Sequence, residues 1–314
     1  RERNRGDGMQ IISGTTEFEC DMNTAAAIGK FDGVHLGHRR LLENILKARE
    51  DGLAAAVFTF DPPPGVFFTG KPQQGLMTKE EKRRCFREMG VDILIEFPLN
   101  AKTAATPAED FIRDILCGKM HVKYLAAGTD LSFGKGGKGD WHLLQALSGK
   151  LGYQAEIIDK ILYNGREISS TYVRETVQKG EMELAAKLLG APYCVSGRVM
   201  HGKRLGRTLG MPTVNLLPEK DKLLPPSGVY FSRLSFSGVS FPGITNIGCR
   251  PTVSDSGQMS VETYLYDFDS EIYGEYVEVS LYSFDRPERK FSGIPELKQN
   301  MEADIARGRR YWYE

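Results

Sequence analysis

The sequence predicts two domains of different class: an N-terminal α/β domain with a doubly wound parallel sheet, and a C-terminal antiparallel β domain carrying a terminal helix. Three observations predict this. Apolar strand-like runs alternate with helix-like segments from Ala25 to Gly190. From Tyr193 onward the pattern changes to short strands separated by turn residues. The chain has 314 residues, enough for two domains of ordinary size. The change of character after Gly190 sets the expected domains at 9–190 and 191–314.

Taken in order, Ala25 to Ile28 is a short apolar run, then glycine-broken sequence, then the helix pattern LLENILKARE. LAAAVFTF (Leu53 to Phe60) is apolar on both faces and reads as a buried strand. TKEEKRRCFREMG is a helix, with Thr78 as cap, Glu81 three residues on, and Gly90 as stop. VDILIEF is a strand. TPAEDFIRDIL is a helix, with Thr106 as N-cap and Pro107 at the first helical position. VKYLAAG, WHLLQALSGKLG and YQAEIID give strand, helix, strand. Ile168 to Gly190 reads as two helices broken at Gly180. The later strands are YCVSGRV, GVYFSRLSF, VSFPGITNIG, VETYLYDF and YVEVSLYSF, which suits a sandwich or a barrel. In the last helix, Leu297, Met301 and Ile305 form one apolar stripe.

Composition excludes several functions. Lys plus Arg and Asp plus Glu both number 41, so the net charge is zero, which disfavours a protein devoted to nucleic-acid backbones. The five cysteines (Cys20, Cys85, Cys117, Cys194, Cys249) are scattered, with no CxxC pair, so neither a zinc site nor a disulfide framework is supported. Reduced thiols and a cytoplasmic setting are expected. No apolar run approaches the roughly 20 residues of a membrane span. RERNRGDGMQIIS lacks the apolar core of a signal peptide. Residues 1–8 are expected to be a disordered extension, with Met9 as an alternative start.

GKFDGVHLGH (Gly29 to His38) holds three glycines and two histidines in ten positions, directly after the first strand. Ligands of open α/β sheets bind beyond the carboxyl ends of the strands. Glycines let a backbone approach phosphate, and the following helix offers free N–H groups and the positive end of its dipole. His35 and His38, three apart, share a helix face and can donate hydrogen bonds to phosphate oxygens. Turn chemistry alone also accounts for the glycines. A metal pair is the weaker reading, because no third ligand is partnered with HxxH. Neither GxxxxGK[ST] nor GxGxxG is present in the stretch.

Four segments in series carry a family resemblance. GKFDGVHLGHRRLL resembles the GxFDGxHxGH signature of bacterial FMN adenylyltransferases, within the HxGH nucleotidyltransferases. TFDPPP (Thr59 to Pro64) is similar to that family's TFDPHP, GTDLSFGKGGKGD (Gly128 to Asp140) to its GxDFRFGxxxxGD, and ISSTYVR (Ile168 to Arg174) to its ISSTxxR. The resemblance implies that His35 and His38 are catalytic and contact ATP phosphates, within a loop of Gly29, Phe31, Asp32, Gly33 and Gly37. It implies that Ser169, Ser170, Thr171 and Arg174 hold the β- and γ-phosphates, and that Asp61 and Asp130 lie at the flavin or adenine pocket. Read without it, Ser169 to Thr171 is an N-cap and Asp130 a turn residue. Two positions depart from the family: Pro63 replaces its histidine and Ser132 its arginine.

The C-terminal half carries a second resemblance. GRVMHGKRLGRTLGMPTVNL (Gly197 to Leu216) is similar to the riboflavin kinase segment ending in PTAN, and GVY, NIGCRPTV and VETYLYDFD follow in family order. The resemblance implies a β-barrel kinase domain, with Thr213 and Asn215 on Mg²⁺ and ATP. Gly202, Gly206 and Gly210 would form a nucleotide flap, and Glu262 would be the general base. Read alone, Glu262 is a strand residue facing solvent, Thr213 a β-former and Asn215 a turn former. Tyr230, Tyr264 and Tyr266 are expected to be barrel packing rather than flavin stackers.

The whole chain resembles the bifunctional riboflavin kinase/FMN adenylyltransferase family. That implies ATP, riboflavin and FMN as partners, FAD as product, Mg²⁺ as cofactor, and a monomer or weak homo-oligomer without nucleic acid or membrane. Three alternatives stand beside it: a kinase whose first domain is weakened by Pro63 and Ser132, a non-catalytic flavin-nucleotide carrier, and a first domain acting on another nucleotidyl-transfer substrate.

Overall fold

The computed structural model describes residues 8–201, 208–250 and 258–314. The extension expected at 1–8 falls outside them save its last residue. Gly202 and Gly206 of the flap, and residues 251–253 of NIGCRPTV, also lie outside. The chain forms two compact units, divided between Ser169 and Ser170.

The first unit is built on a six-stranded, all-parallel sheet in the order β1-β4-β3-β2-β5-β6. The strands are β1 (Gln10–Ser13), β2 (Thr24–Ile28), β3 (Ala54–Asp61), β4 (Ile93–Pro98), β5 (Val122–Gly128) and β6 (Gln154–Ile158). Every residue of central β2 is buried. Because side chains alternate across a strand, Ala25 and Ala27 pack with Leu42, Ile45 and Phe86 on one face, and Ala26 and Ile28 with Phe111, Ile112 and Leu144 on the other. Both faces are therefore covered, as in a doubly wound sheet. The helices are α1 (Leu36–Lys47), α2 (Pro64–Thr69), α3 (Lys79–Met89), α4 (Ala101–Ala104), α5 (Ala108–Asp110, continuing as a π-helix over Phe111–Lys119) and α6 (Trp141–Leu151). Helix α3 has the expected capping box: Glu81 N donates to Thr78 Oγ1 at 3.1 Å, and Thr78 N to Glu81 Oε2 at 2.9 Å.

Two local expectations are corrected. Pro107, not Thr106, caps α5: its ψ of 146° is extended, so the helix starts at Ala108. The Thr106 carbonyl instead accepts from Lys135 N at 2.7 Å. Strand β1, absent from the sequence reading, pairs along β4 and extends the sheet by one edge strand. A small hairpin, β7 (Leu162–Tyr163) and β8 (Arg166–Glu167), follows β6.

The second unit begins with α7 (Ser170–Lys179) and α8 (Met182–Leu189). A closed antiparallel barrel follows, in the order β10-β13-β12-β11-β14-β9, so the barrel rather than the sandwich is adopted. Its strands are β9 (Tyr193–Met200), β10 (Thr213–Leu216), β11 (Gly228–Phe236), β12 (Val239–Arg250), β13 (Gln258–Leu265) and β14 (Tyr276–Pro287). Helix α8 packs against β9 and β14. Inside the barrel, Ser232, Thr245 and Thr263 form a hydroxyl chain with O–O distances of 2.7 and 2.8 Å, which satisfies three buried polar groups at once.

The C-terminal helix (Ile294–Tyr313) is mostly exposed, with only Asp304 and Gly308 buried. It is held by specific ties rather than by a wide apolar face. Asp304 accepts a bidentate pair from Arg286 at 2.8 and 2.6 Å, and Arg307 reaches Asp285 at 2.7 Å. Tyr266 donates to the Ile305 carbonyl at 2.7 Å, and Trp312 Nε1 to the Gly243 carbonyl at 3.0 Å.

Candidate active sites

The turn after β2 is where the first unit concentrates its chemistry. Gly29 N donates to the Phe58 carbonyl at 3.2 Å, which keeps the turn on the carboxyl edge of the sheet. The backbone then takes positive φ at Phe31 (49°), Gly33 (90°) and Val34 (44°). For the two non-glycine residues this costs on the order of 1–3 kcal/mol each. Burial offsets it: Phe31 and Val34 are fully enclosed in the core, and Phe31 meets Phe86 edge-on at 5.5 Å. Asp32 Oδ1 accepts from Leu76 N at 2.7 Å, so the turn is tied on its other side too.

This turn delivers His35 to the start of α1, whose N-terminus carries no side-chain cap and no acidic residue in its first turn. The His35 and His38 rings stack at 3.8 Å, with Phe31 5.0 Å from His38. A Cβ on Gly37 would stand 3.2 Å from the His35 ring, so that glycine makes room for the imidazole. Gly29 does the same for Phe31, at 3.2 Å. Among the described residues, Nδ1 of both histidines is buried without a hydrogen-bond partner. Burial pushes His35 down to about 4 against the pull of Asp130 and Asp32. Burial also holds His38 well below the ordinary imidazole value, with the neighbouring His35 and Lys82 charges adding to it. Both rings are therefore neutral at pH 7 and each has one N–H to donate.

The neighbouring strands place two further expected residues along the same edge. Asp61, at the end of β3, pairs with Lys79 at 2.6 Å. Asp130, just past β5, is exposed and its charge reaches His35. The glycine-rich loop after it is largely a structural device. Phe133 and Gly139 exchange backbone hydrogen bonds at 3.0 and 2.9 Å, Gly134 packs where a Cβ would meet Ala108, and Asp140 caps α6 through Leu143 N. Pro63 opens α2, its carbonyl accepting from Val66 and Phe67. Ser169 ends the first unit, while Ser170, Thr171 and Arg174 lie at the start of α7 in the second.

Sequence reasoning missed the cations of α3. Lys79 bridges Asp61 and Glu96, the latter at 3.2 Å, and Arg83 forks onto buried Glu96 at 2.9 and 2.6 Å. Lys82 Nζ donates to the Lys30 carbonyl at 3.2 Å. In the sequence these residues read only as part of a helix capped at Thr78.

In the barrel, strand register assembles the second site. Asn215 on β10, Glu262 on β13 and Asn246 on β12 are successive register partners, so one row crosses three strands. Thr213 lies two residues before Asn215, whose Nδ2 donates to the Thr213 hydroxyl at 3.2 Å. A cavity of about 180 Å³ is lined by Thr213, Asn246, Glu262 and Tyr264, and by Leu297, Met301 and Ile305 of the C-terminal helix. A second, of about 330 Å³, is lined by Thr213, Val214, Phe268, Asp269 and Tyr273. Thr213 is common to both. Tyr230 and Tyr266 are fully buried, as expected of packing residues, whereas Tyr264 turns to the first cavity. Gly210 has φ of 78°, a conformation natural to glycine.

Comparison with known proteins identifies the family. The FAD synthetase family model matches residues 17–172 and the riboflavin kinase model residues 189–312. A protein of Listeria monocytogenes named bifunctional riboflavin kinase/FMN adenylyltransferase is 37% identical, covering 92% of this chain and 93% of its own. One of the same name from Escherichia coli K12 is 38% identical, over 91% of each chain. A crystal structure described as a macrolide-efflux protein from Streptococcus pneumoniae aligns with a TM-score of 0.83 at 28% identity, covering 96% of this chain and 98% of that one. Among the described residues no helix is long and apolar enough to cross a membrane. With both family models matched in order and relatives this similar along nearly the whole length, the chain belongs to the bifunctional riboflavin kinase/FMN adenylyltransferase family.

Proposed function

We propose that the two activities of this FAD-forming enzyme are carried by the two sites described, with adenylyl transfer on the His35–His38 pair and riboflavin phosphorylation at Glu262. The stacked imidazoles at an uncapped helix start carry the first assignment. In that step an FMN phosphate oxygen attacks the α-phosphorus of ATP, the new P–O bond forms in line, and pyrophosphate leaves. The neutral imidazoles donate to phosphate oxygens as charge builds on them, and the α1 amides add fixed partial positive charge. The loop of Gly29, Phe31, Asp32, Gly33 and Gly37 shapes this cradle. Ser169 contributes to holding the β- and γ-phosphates, and Asp61 and Asp130 border the flavin or adenine. Pro63 and Ser132 slow this step without removing it, since neither belongs to the imidazole pair.

In the barrel, the riboflavin 5′-hydroxyl attacks the γ-phosphorus of ATP and ADP leaves. Glu262 accepts the hydroxyl proton, facing the cavity of about 180 Å³ in which the flavin sits. ATP occupies the cavity of about 330 Å³, and Thr213 stands where the two meet. Thr213 and Asn215 offer oxygen donors, the ligand type Mg²⁺ prefers, and would hold it there with ATP. Bound so, the ion would neutralise phosphate charge. Asn215 meanwhile fixes the Thr213 hydroxyl, and Gly210 gives the flap its turn. Functionally the chain divides as 9–190 and 191–314, in line with family matches that stop at 172 and resume at 189. The enzyme works in the cytoplasm, where ATP is available.

The direct test supplies FMN, ATP and Mg²⁺ to His38→Ala and follows pyrophosphate release. A loss of about a hundredfold or more is expected from removing a transition-state donor. Release within a few-fold of the parent rate refutes the assignment.

A further inference from the structure

Lys82 belongs to no motif and has no part in the step described above, yet its ammonium is drawn off the surface of α3 to meet the catalytic turn. Its Nζ donates to the carbonyl of Lys30, the residue between Gly29 and Phe31. The carboxylates whose charge acts on the ammonium are Asp32 from the turn, Glu96 from β4 and Asp61 from β3, with Lys79 from its own helix opposing them. Asp61 and Glu96 are already engaged by Lys79 and Arg83, and Asp32 by the Leu76 amide. The lysine thus spends a desolvated charge on a neutral carbonyl, which is costly unless that carbonyl must be held.

The turn explains the need. It holds two non-glycine residues at positive φ, and the imidazole pair follows directly after Val34. We propose that Lys82 is a positioning residue for adenylyl transfer: its ammonium clamps the Lys30 carbonyl, and so fixes the strained turn that sets the His35–His38 stack. The same charge discourages protonation of His38. His35 and Phe31 lie against that ring from its own segment, and the charges that act on it are those of His35 and of Lys82 from α3. Lys82 thus adds to burial and His35 in keeping His38 a neutral, single-proton donor. The inference rests on the assignment of the imidazole pair to adenylyl transfer.

The test uses the full-length chain with Lys82→Met, which keeps the apolar stem and removes the charge, and Lys82→Arg as the conservative variant. Histidine titration is followed by NMR in the ligand-free protein, and FMN adenylylation kinetics are measured beside riboflavin kinase activity. In Lys82→Met the His38 midpoint should move upward, and kcat for adenylylation should fall roughly tenfold or more with a smaller change in KM for ATP. Lys82→Arg should restore most of the rate, and kinase activity should stay at the parent level in both, which certifies folding of the barrel. An unmoved His38 midpoint overturns the proposal even if the rate falls, because Lys82 would then act on substrate directly. An unmoved rate overturns it even if the midpoint shifts. Failure of the imidazole assignment is separately visible: His38→Ala would stay active while the Lys82–His38 titration coupling remained.

Discussion

His35 and His38 show how far a motif goes and where packing takes over. The spacing HxGH announces two imidazoles on one face, but their charge state is decided by burial, which the sequence does not display. Because the folded-state value of His35 is about 4 against an ordinary 6.5, the unfolded chain binds more protons than the folded one between those values. Stability of the first unit should therefore fall as pH drops from 6.5 to 4, by a few kcal/mol from this group alone. Urea titrations at several pH values check this, and His35→Gln should flatten the dependence. Gly37→Ala tests the packing directly. The added methyl would sit 3.2 Å from the His35 ring, so the stack must shift. FMN adenylylation is expected to drop roughly tenfold or more, with riboflavin phosphorylation unchanged. Lys82 was illegible for a physical reason: only the crossing of α3 over the β2 turn turns one lysine of KEEKRR into a clamp.

Among the elements, those with a strong period or a cap were readable, and the short ones were not. Helix α3 carries its capping box and its stop glycine in plain view. Strand β1 is four residues long and β10 is also four, too brief for a period to emerge, and each owes its existence to a neighbouring strand. Yet β10 sets Asn215 opposite Glu262 and Thr213 opposite Tyr264, so one of the least legible strands holds the residues proposed for the kinase step. The apolar stripe Leu297, Met301, Ile305 was legible in the sequence, and it lines the cavity of about 180 Å³ beside Glu262. The helix that bears it depends on Asp304. Asp304→Ala leaves Arg286 without its partner in a largely buried setting, a loss on the order of 3 kcal/mol. Thermal unfolding should register this in the barrel, and KM for riboflavin should rise, while adenylylation of supplied FMN stays at its parent rate.

At the scale of the whole molecule, zero net charge fits partners that are small anionic nucleotides handled by local groups. The change from alternating α/β to short strands near Gly190 revealed two chemistries on one chain. The contact boundary nevertheless falls earlier, at Ser169–Ser170, because α8 packs on β9 and β14. Helices α7 and α8 thus belong to the same unit as the barrel, a division that spacing alone does not disclose.

The central claim is that FMN and FAD are made at separate sites, one resting on His38 and the other on Glu262. Chromatographic separation of flavins after incubation with riboflavin, ATP and Mg²⁺ tests it most directly, on the parent protein, His38→Ala and Glu262→Ala. The parent should yield FMN and then FAD; His38→Ala should accumulate FMN without FAD; Glu262→Ala should leave riboflavin unconverted, yet make FAD when FMN is supplied. Loss of both products in a folded single variant, or FMN synthesis undiminished in Glu262→Ala, would contradict it.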